Sequence, residues 1–388
     1  MGSSLWGIGK FHRMSPKTKK YLKVLAILVT VLAEGLLLLQ GCAFFGGNVS
    51  GDRLDRVMAS THQENGTFRN TVPQRAAASG NYWNYIVEQF SGDQVRVPPA
   101  AIPVTTVDPE ILTSTPAAGL RAIWLGHATV YLELDGKRVL IDPILSDYAA
   151  PIDWFGPKRF HPSPIALEDL PRIDAVLISH DHYDHLDMKT VQHLAKTGSR
   201  FFVPLGIGAH LDAWDVPADQ IVELDWWQNA RLPGLEIVST PARHYSGREL
   251  FDYKETLWSS WTVIGADHRI FYSGDTGYSD HFKNIGEKYG PFDLAVIKIG
   301  AYGPGNSWID IHMDPEHAVQ SFVDVRGKRM LPVHWATFNM AFHDWQEPVI
   351  RAVRAAKELN IDLVTPRVGE IVTSGVPFHS ENWWADIN

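Results

Sequence analysis

Apolar positions are spread unevenly along this chain, and their spacing divides it into three textures. Near the N-terminus VLAILVTVLAEGLLLLQ is apolar except for breaks such as Glu34 and Gly35, and Lys17, Lys19, Lys20 and Lys23 precede it. Positive charge, an apolar run and then small residues is the order of an export signal. A membrane-spanning helix needs about 20 mostly apolar residues, and a carboxylate at mid-bilayer is costly. The run therefore reads as a cleavable signal rather than a permanent anchor, starting at either Met1 or Met14. The second texture, residues 43–118, is mixed. GGNVSGD and RVPPAAIPVTTVDPEILTSTPAAG read as extension and linker, since Pro opposes regular structure. Between them NYWNYIVEQF has the spacing of a short amphipathic helix.

The third texture begins near Leu120. RAIWLGHATVYLELDGKRVLIDP holds two alternating runs joined at Asp135-Gly136, which predicts a β-hairpin. DAVLIS, RFFVPL, GLEIVST, SWTVIGA, RIFYSGD, DLAVIKIGA, MLPVHW and DLVTPRVGEIV continue as short β-rich runs. Helical spacing appears in DMKTVQHLAKT and in DPEHAVQSFVDV, where Asp314 is placed to cap and Pro315 takes the first helical position. Strands joined both by hairpins and by helices predict a layered α/β core rather than one parallel sheet. Residues 119–375 are expected to form one domain, followed by a tail at 376–388.

Composition adds limits. Of 388 residues, 45% are apolar, enough for a sizeable core. The formal net charge of −9 argues against broad, phosphate-driven nucleic-acid binding, so no nucleic-acid partner is expected. Cys42 is the only cysteine, so the fold cannot rest on an internal disulfide. It ends Leu39-Gln40-Gly41-Cys42, which resembles a bacterial lipobox. That resemblance implies a signal peptide over 1–42 and a lipid-modified Cys42 holding the mature chain at a membrane surface of the bacterial cell envelope, inner or outer. A buried cysteine without such a role is the alternative.

The chemistry concentrates in ISHDHYDHLD, residues 178–187. His180, His182, Asp184 and His185 form H-x-H-x-D-H where the apolar run IDAVLIS ends. A strand end is a rigid mount for a site; a solvated charged loop is the plain alternative. Imidazole nitrogen and carboxylate oxygen suit zinc, and iron or manganese as well. His180 and His182, two apart, can face one point, while Asp184 and His185 turn toward a second. Four ligands this close fit two neighbouring ions better than one. His244 in STPARHYSG, Asp275 in FYSGDTGY and His334 in LPVHWATF each follow an apolar run and are further single candidates. His127 and Asp142, at strand ends around the hairpin, either orient ligand histidines or form a buried hydrogen-bonded pair. Trp226 and Trp227 either line an acyl pocket or pack in the core. Lys158 and Arg159 are either a solvated pair or a contact for a lipid phosphate. His161 and His343 have no assigned role, and Asp181 and Asp187 have none beyond loop geometry.

H-x-H-x-D-H, with single His and Asp residues at later strand ends, resembles the metallo-β-lactamase fold superfamily. The resemblance implies a four-layer αββα sandwich, an α+β fold, with two metals at one sheet edge. His180, His182 and His244 would hold the first metal, Asp184, His185 and His334 the second, and Asp275 would bridge them. Di-iron redox members of the superfamily usually carry Glu at the second histidine position, so His182 favours two zinc ions and hydrolysis. Longer blocks narrow the match: WLGHATV at 124–130, IDP at 141–143, GPKRF at 156–160, ELDWW at 223–227, SGDTGY at 273–278, GPFDLAVIKIGAY at 290–302, HMDPEHAV at 312–319 and HWATF at 334–338. Over about 120–370 they resemble N-acylphosphatidylethanolamine-hydrolysing phospholipase D. This implies hydrolysis of a phospholipid phosphodiester to N-acylethanolamine and phosphatidic acid. Asp184, Asp275 and His312 would carry the chemistry, and Tyr183 and His312 would contact the lipid. GPGNSWIDI, just before His312, falls outside the matched blocks and bears on the substrate entrance. A hydrolase of a lactone, a β-lactam or a soluble phosphodiester would use the same metals. An envelope lipoprotein of structural role would not require an open seven-ligand centre. The oligomeric state is left open.

Overall fold

The computed structural model describes residues 43–74, 92–114, 118–152, 156–249, 251–303 and 308–387, with single positions at 17, 21, 23, 25, 88 and 154. Cys42, most of the apolar run before it and nearly all of NYWNYIVEQF lie outside the described residues. Among the described residues, no helix is long and apolar enough to cross a membrane. Met1–Phe45 forms one unit, in which a 3-10 turn at Ala43–Phe45 is described. Gly46–Asn388 forms the other.

The second unit opens with helix α1 (Gly51–Ala59) and a short hairpin, β1 (Gln63–Glu64) and β2 (Thr67–Phe68). Val57 and Phe68 are buried with Trp226, Leu257 and Trp258. Arg53 and Arg56 pair with the buried Glu223 at 2.9 and 3.2 Å. A turn of helix, α2 (Pro109–Thr113), follows, capped by the Asp108 carboxylate.

Two mixed sheets come next. The seven-stranded sheet has the order β15-β3-β4-β5-β6-β7-β8. Its members are β3 (Leu120–Trp124), β4 (Val130–Leu134), β5 (Lys137–Ile141), β6 (Ala175–Leu177), β7 (Phe201–Pro204), β8 (Ile221–Leu224) and β15 (Ile371–Thr373). The six-stranded sheet has the order β14-β13-β12-β11-β10-β9. It comprises β9 (Asn229–Leu232), β10 (Leu235–Pro241), β11 (Ser259–Ile264), β12 (Arg269–Tyr272), β13 (Leu294–Lys298) and β14 (Met330–Val333). The hairpin forms where expected. Leu134 pairs with Lys137, and Asp135 and Gly136 sit at φ 49° and 81°, the double left-handed geometry that a two-residue turn uses to match strand twist.

The layering follows from the period of two along a strand. Val130, Leu132, Val139 and Ile141 share one core with Trp261, Val263 and Val296 of the other sheet. Tyr131 and Leu140 point the other way, into a second core with Val191 and Leu194 of α3 (Met188–Lys196) and Leu211 of α4 (Gly208–Ala213). The six-stranded sheet is covered by α5 (His281–Tyr289), α6 (Pro315–Asp324) and α7 (Glu347–Glu358), which contribute Phe282, Phe322 and Val349 to the core. Helix, sheet, sheet, helix is the αββα sandwich of the metallo-β-lactamase fold. Asp314 caps α6 as expected, accepting from the His317 backbone N–H at 2.8 Å.

Two runs depart from the simple reading. In DLVTPRVGEIV only the last two residues enter a strand, Ile371–Thr373, while Leu363 and Val368 make single bridges to Met330 and Val104; Pro366, without an N–H, interrupts the run. The last residues are packed: Trp383 stacks on Trp335, ring centroids 5.2 Å apart.

Strand direction decides where the site residues go. β3 and β5 run parallel to β6, because two antiparallel steps separate β3 from β5 and β5 pairs in parallel with β6. By the same count β10, β12, β13 and β14 share one direction. The C-terminal ends of β3, β5 and β6 therefore lie at one edge of the first sheet. Those of β10, β12, β13 and β14 lie at one edge of the second.

Candidate metal centre

The candidate residues sit just past those ends: His127 after β3, Asp142 after β5, His180 to His185 after β6, His244 after β10, Asp275 after β12 and His334 after β14. His127, Asp142 and His334 adopt φ values of 50°, 37° and 67°. Left-handed backbone is unfavourable for residues bearing a Cβ, and such strain gathers at functional sites. Here it turns the chain sharply at the strand end. Gly274 (φ 58°) precedes Asp275, and a Cβ there would meet the Ser259 carbonyl at 2.7 Å. Only glycine lets the Asp275 loop lie this close to the neighbouring strand.

Among the described residues donor atoms gather in four overlapping groups, two of which hold six of the seven predicted ligands. His180, His182 and His244 form one, with ligand atoms within 4.8 Å of one another. Nε2 of His180 lies 2.8 Å from Nδ1 of His182, and Nε2 of His244 lies 3.3 Å from it. His127, Asp184, His185 and His334 form the second group. Oδ2 of Asp184 lies 2.8 Å from His127 Nε2, 3.3 Å from His185 Nε2 and 3.4 Å from His334 Nε2. Asp275 stands between the groups, its Oδ2 3.6 Å from His185 Nε2, 3.9 Å from His244 Nε2 and 3.2 Å from His334 Nε2.

The outward ring nitrogens are held. His180 Nδ1 meets Ser179 Oγ at 2.9 Å, His244 Nδ1 meets the Ile311 carbonyl at 3.0 Å, and His185 Nδ1 meets Asp142 at 2.6 Å. This pattern turns each Nε2 inward as a lone-pair donor. Asp142 therefore takes the orienting role toward His185, and His127 bonds Asp184 rather than a histidine.

Electrostatics agree with a place built for cations. Burial, reinforced by His185 and other rings, holds His180 well below the usual imidazole range, and burial does the same for His244. Burial and His334 lower His127 to about 3. Burial opposes ionisation of Asp184 and Asp275, yet His185 and its neighbours hold both well below the usual carboxylate range. For His185 burial is overcome by Asp184, Asp275 and Asp142, which raise it.

The chemistry of the donor set and its unmet bonding both fit metal. His185 Nε2, both ring nitrogens of His334 and Oδ1 of Asp275 are buried without a hydrogen-bond partner. Buried polar atoms are normally satisfied, and here four of them cluster in one site.

Other candidates fall into place around it. Tyr183 donates its hydroxyl to the Arg248 carbonyl at 2.9 Å, and the Arg248 guanidinium lies 4.0 Å over its ring. Asp181 accepts from Gly247 N–H at 2.8 Å and Thr256 Oγ at 2.7 Å, tying the loop after His244 to the histidine loop. Asp187 accepts from the hydroxyls of Ser146 and Thr190. Trp226 is core, donating to the Trp258 carbonyl at 2.7 Å. Arg159 is buried instead of solvated, its guanidinium bonding the carbonyls of Ile144 and Leu125 at 2.8 and 2.9 Å. His343 accepts from Ala301 N–H at 3.1 Å, and His161 meets Thr337 Oγ1 at 3.3 Å. A small pocket of about 20 Å³ opens beside His127 and His334, with Phe160, Trp335, Phe338, Met340 and Trp345 among its walls.

One buried group goes unmarked by any motif. Lys298, the last residue of β13, is 1% exposed and bonds Nδ1 of His312. His312 Nδ1 also lies 3.5 Å from Asp275 Oδ2. Burial lowers the Lys298 ammonium to about 8, against the pull of Asp275 and Asp184. A lysine in an apolar run reads as a strand residue with its amine in solvent. Its position two residues before Gly300 of the IGAY loop was the signal available.

Comparison with known proteins places this geometry. A model of the beta-lactamase superfamily domain matches residues 137–335. An uncharacterized protein of Mycobacterium tuberculosis is 49% identical over 288 residues, covering 73% of this chain and 76% of the relative. N-acyl-phosphatidylethanolamine-hydrolyzing phospholipase D 1 of Caenorhabditis elegans is 38% identical over 269 residues, covering 66% of this chain and 76% of the relative. Among solved structures, Igni18, a metallo hydrolase from Ignicoccus hospitalis, superposes with a TM-score of 0.52 at 24% identity, covering 66% of this chain and 99% of that one; this likeness is one of fold. The chain belongs to the β-lactamase superfamily, among the metal-dependent hydrolases of the N-acyl-phosphatidylethanolamine-hydrolysing phospholipase D-like family.

Proposed function

We propose that this protein is a two-zinc phospholipase D that cleaves N-acylphosphatidylethanolamine-like lipids to N-acylethanolamine and phosphatidic acid. The observation that carries the metal is the cluster of buried, unpartnered atoms on His185, His334 and Asp275 beside three converging imidazoles. His180, His182 and His244 would hold one ion, Asp184, His185 and His334 the other, with Asp275 between. Bound zinc would supply Lewis acidity, which brings the pKa of water near 7 and offsets charge on phosphoryl oxygens.

The chain's own residues supply position. Asp142, Ser179 and the Ile311 carbonyl fix three ligand rings, and His127 fixes Asp184. His312, beside Asp275 and partly exposed, faces the reacting phosphate. Tyr183, braced by Arg248, forms part of the lipid contact. Similarity to N-acyl-phosphatidylethanolamine-hydrolyzing phospholipase D 1 of Caenorhabditis elegans favours a lipid over a soluble diester. Cys42 would carry a lipid anchor as the first residue of the mature chain, after cleavage of the signal just before it, keeping the catalytic domain of 119–375 at the surface of a bacterial envelope membrane. A lipid substrate and a lipid anchor are mutually consistent.

The test is direct. The full chain, loaded with zinc in mixed micelles, is given a panel of phospholipids, and products are read by mass spectrometry. Release of N-acylethanolamine that stops on chelation supports the reading. Turnover confined to lactones or soluble diesters by a fully metallated protein would overturn it.

A further inference from the structure

We infer that Lys298 is a positioning residue that fixes the proton of His312, so that His312 meets substrate as a hydrogen-bond donor through Nε2. Lys298 closes β13, whose neighbours β12 and β14 lead into Asp275 and His334. Its backbone N–H is anchored on Ser273 Oγ at 3.0 Å, and Ile297 and Ile299 on either side are fully buried. The amine therefore has a fixed address inside the site.

Donor and acceptor counting gives the rest. An ammonium has three N–H donors and no acceptor, while a neutral imidazole has one of each. With Lys298 donating to Nδ1, that nitrogen must hold a lone pair, and the ring proton must sit on Nε2. His312 groups by distance with Asp275 and His244 as a metal donor, and its Nδ1 lies 3.5 Å from Asp275 Oδ2. The Lys298 bond occupies its lone pair and withdraws it from that role. His312 Nε2 has no partner among the described residues, and the side chain is 13% exposed. An N–H on this atom suits an anionic oxygen of the substrate. The assignment of that oxygen to a phosphodiester rests on the function proposed above; the state of the ring does not.

The experiment uses the full zinc-loaded chain labelled with ¹⁵N-histidine. Long-range ¹H–¹⁵N correlations report the protonation of each ring nitrogen, and the signal missing from H312Q identifies His312. The expected result is a protonated Nε2 and a bare Nδ1, retained in K298R and lost or mixed in K298M. In parallel, bis(4-nitrophenyl) phosphate is the substrate. K298M should lower kcat on the order of 100-fold with little change in KM, as for loss of a preorganised donor, and K298R should recover most of it. Metal content and circular dichroism of K298M verify that the site is intact. A protonated Nδ1 in the wild-type protein, or an unaltered His312 signal in K298M, would overturn the inference. Failure of the wild-type protein to cleave any phosphodiester would count against the phospholipase reading, while the ring spectrum would still decide the role of Lys298.

Discussion

Replacing Asp142 with Asn tests whether the ligand histidines are held by the residues behind them. Asp142 is fully buried. Its Oδ1 accepts from the Ser179 backbone N–H at 2.6 Å. Its Oδ2 accepts from Ser179 Oγ at 2.5 Å, His185 Nδ1 at 2.6 Å and Tyr272 OH at 2.5 Å. Asn keeps the shape and turns one acceptor into a donor. The favoured orientation leaves the amide oxygen with the three Oδ2 donors and sets its NH₂ against the Ser179 N–H. One buried N–H left unsatisfied costs about 1–3 kcal/mol. The remaining bonds lose a charged acceptor and weaken toward the neutral value, about half as strong. Together these give roughly 2–4 kcal/mol of lost stability. The His185 ring is also less firmly directed, and loss of such support weakens metal binding by about 10–100-fold. Urea unfolding of the metal-free protein reads the first effect, and competition with a chromophoric chelator reads the second. Tyr272→Phe is the control: it removes one bond to Asp142 without touching His185, so stability should fall by about 1 kcal/mol with metal affinity unchanged. Zinc affinity in D142N within threefold of wild type, at an unchanged unfolding midpoint, would refute the reasoning.

Three further outcomes are expected. Chelation should lower the thermal midpoint by several degrees, because a ligand at 100 times its Kd stabilises by about 2.7 kcal/mol; identical melts with and without chelator would count against a metal bound only by the folded chain. His281 is buried, and burial with the nearby Arg243 lowers it to about 3. Between its unfolded pKa of about 6.5 and that value, the unfolded state binds a proton that the folded state does not. Stability should therefore fall with falling pH through this window, by up to about 1.4 kcal/mol per unit. H281Q should flatten that limb in acid titrations of the unfolding free energy, and an unchanged slope would exclude His281 as its source. Asp314→Ala removes the cap on α6 and should cost about 1 kcal/mol by denaturant titration, where no change would show the cap to be dispensable.

Much of the site was legible because its residues announce themselves twice, by chemistry and by place. Four ligand candidates crowd into one loop, and His244, Asp275 and His334 each stand where an apolar run stops. Parallel alignment of the strands then brings those stops to common edges, a consequence of topology that local patterns only imply. The Asp135-Gly136 turn and the Asp314-Pro315 helix start were readable because each is governed by one or two residues. Residues whose role depends on distant partners were not. Lys298 looks like any strand lysine until Asp275 and His312 close around it. His127 joins Asp184, His185 and His334 only through its left-handed turn after β3. Arg159, paired in sequence with Lys158, becomes a buried clamp because the carbonyls of Leu125 and Ile144 face it across the fold. Residues of the mixed stretch before the domain, such as Val57 and Phe68, find their core in the remote Trp226 and Trp258.

The measurement that bears most directly on the two-metal centre is anomalous X-ray diffraction at the zinc edge, from crystals of the zinc-loaded protein. Two peaks are predicted: one against His180, His182 and His244, the other against Asp184, His185 and His334, with the Asp275 carboxylate reaching both. A single peak, a peak away from these residues, or none at full zinc loading would contradict the account.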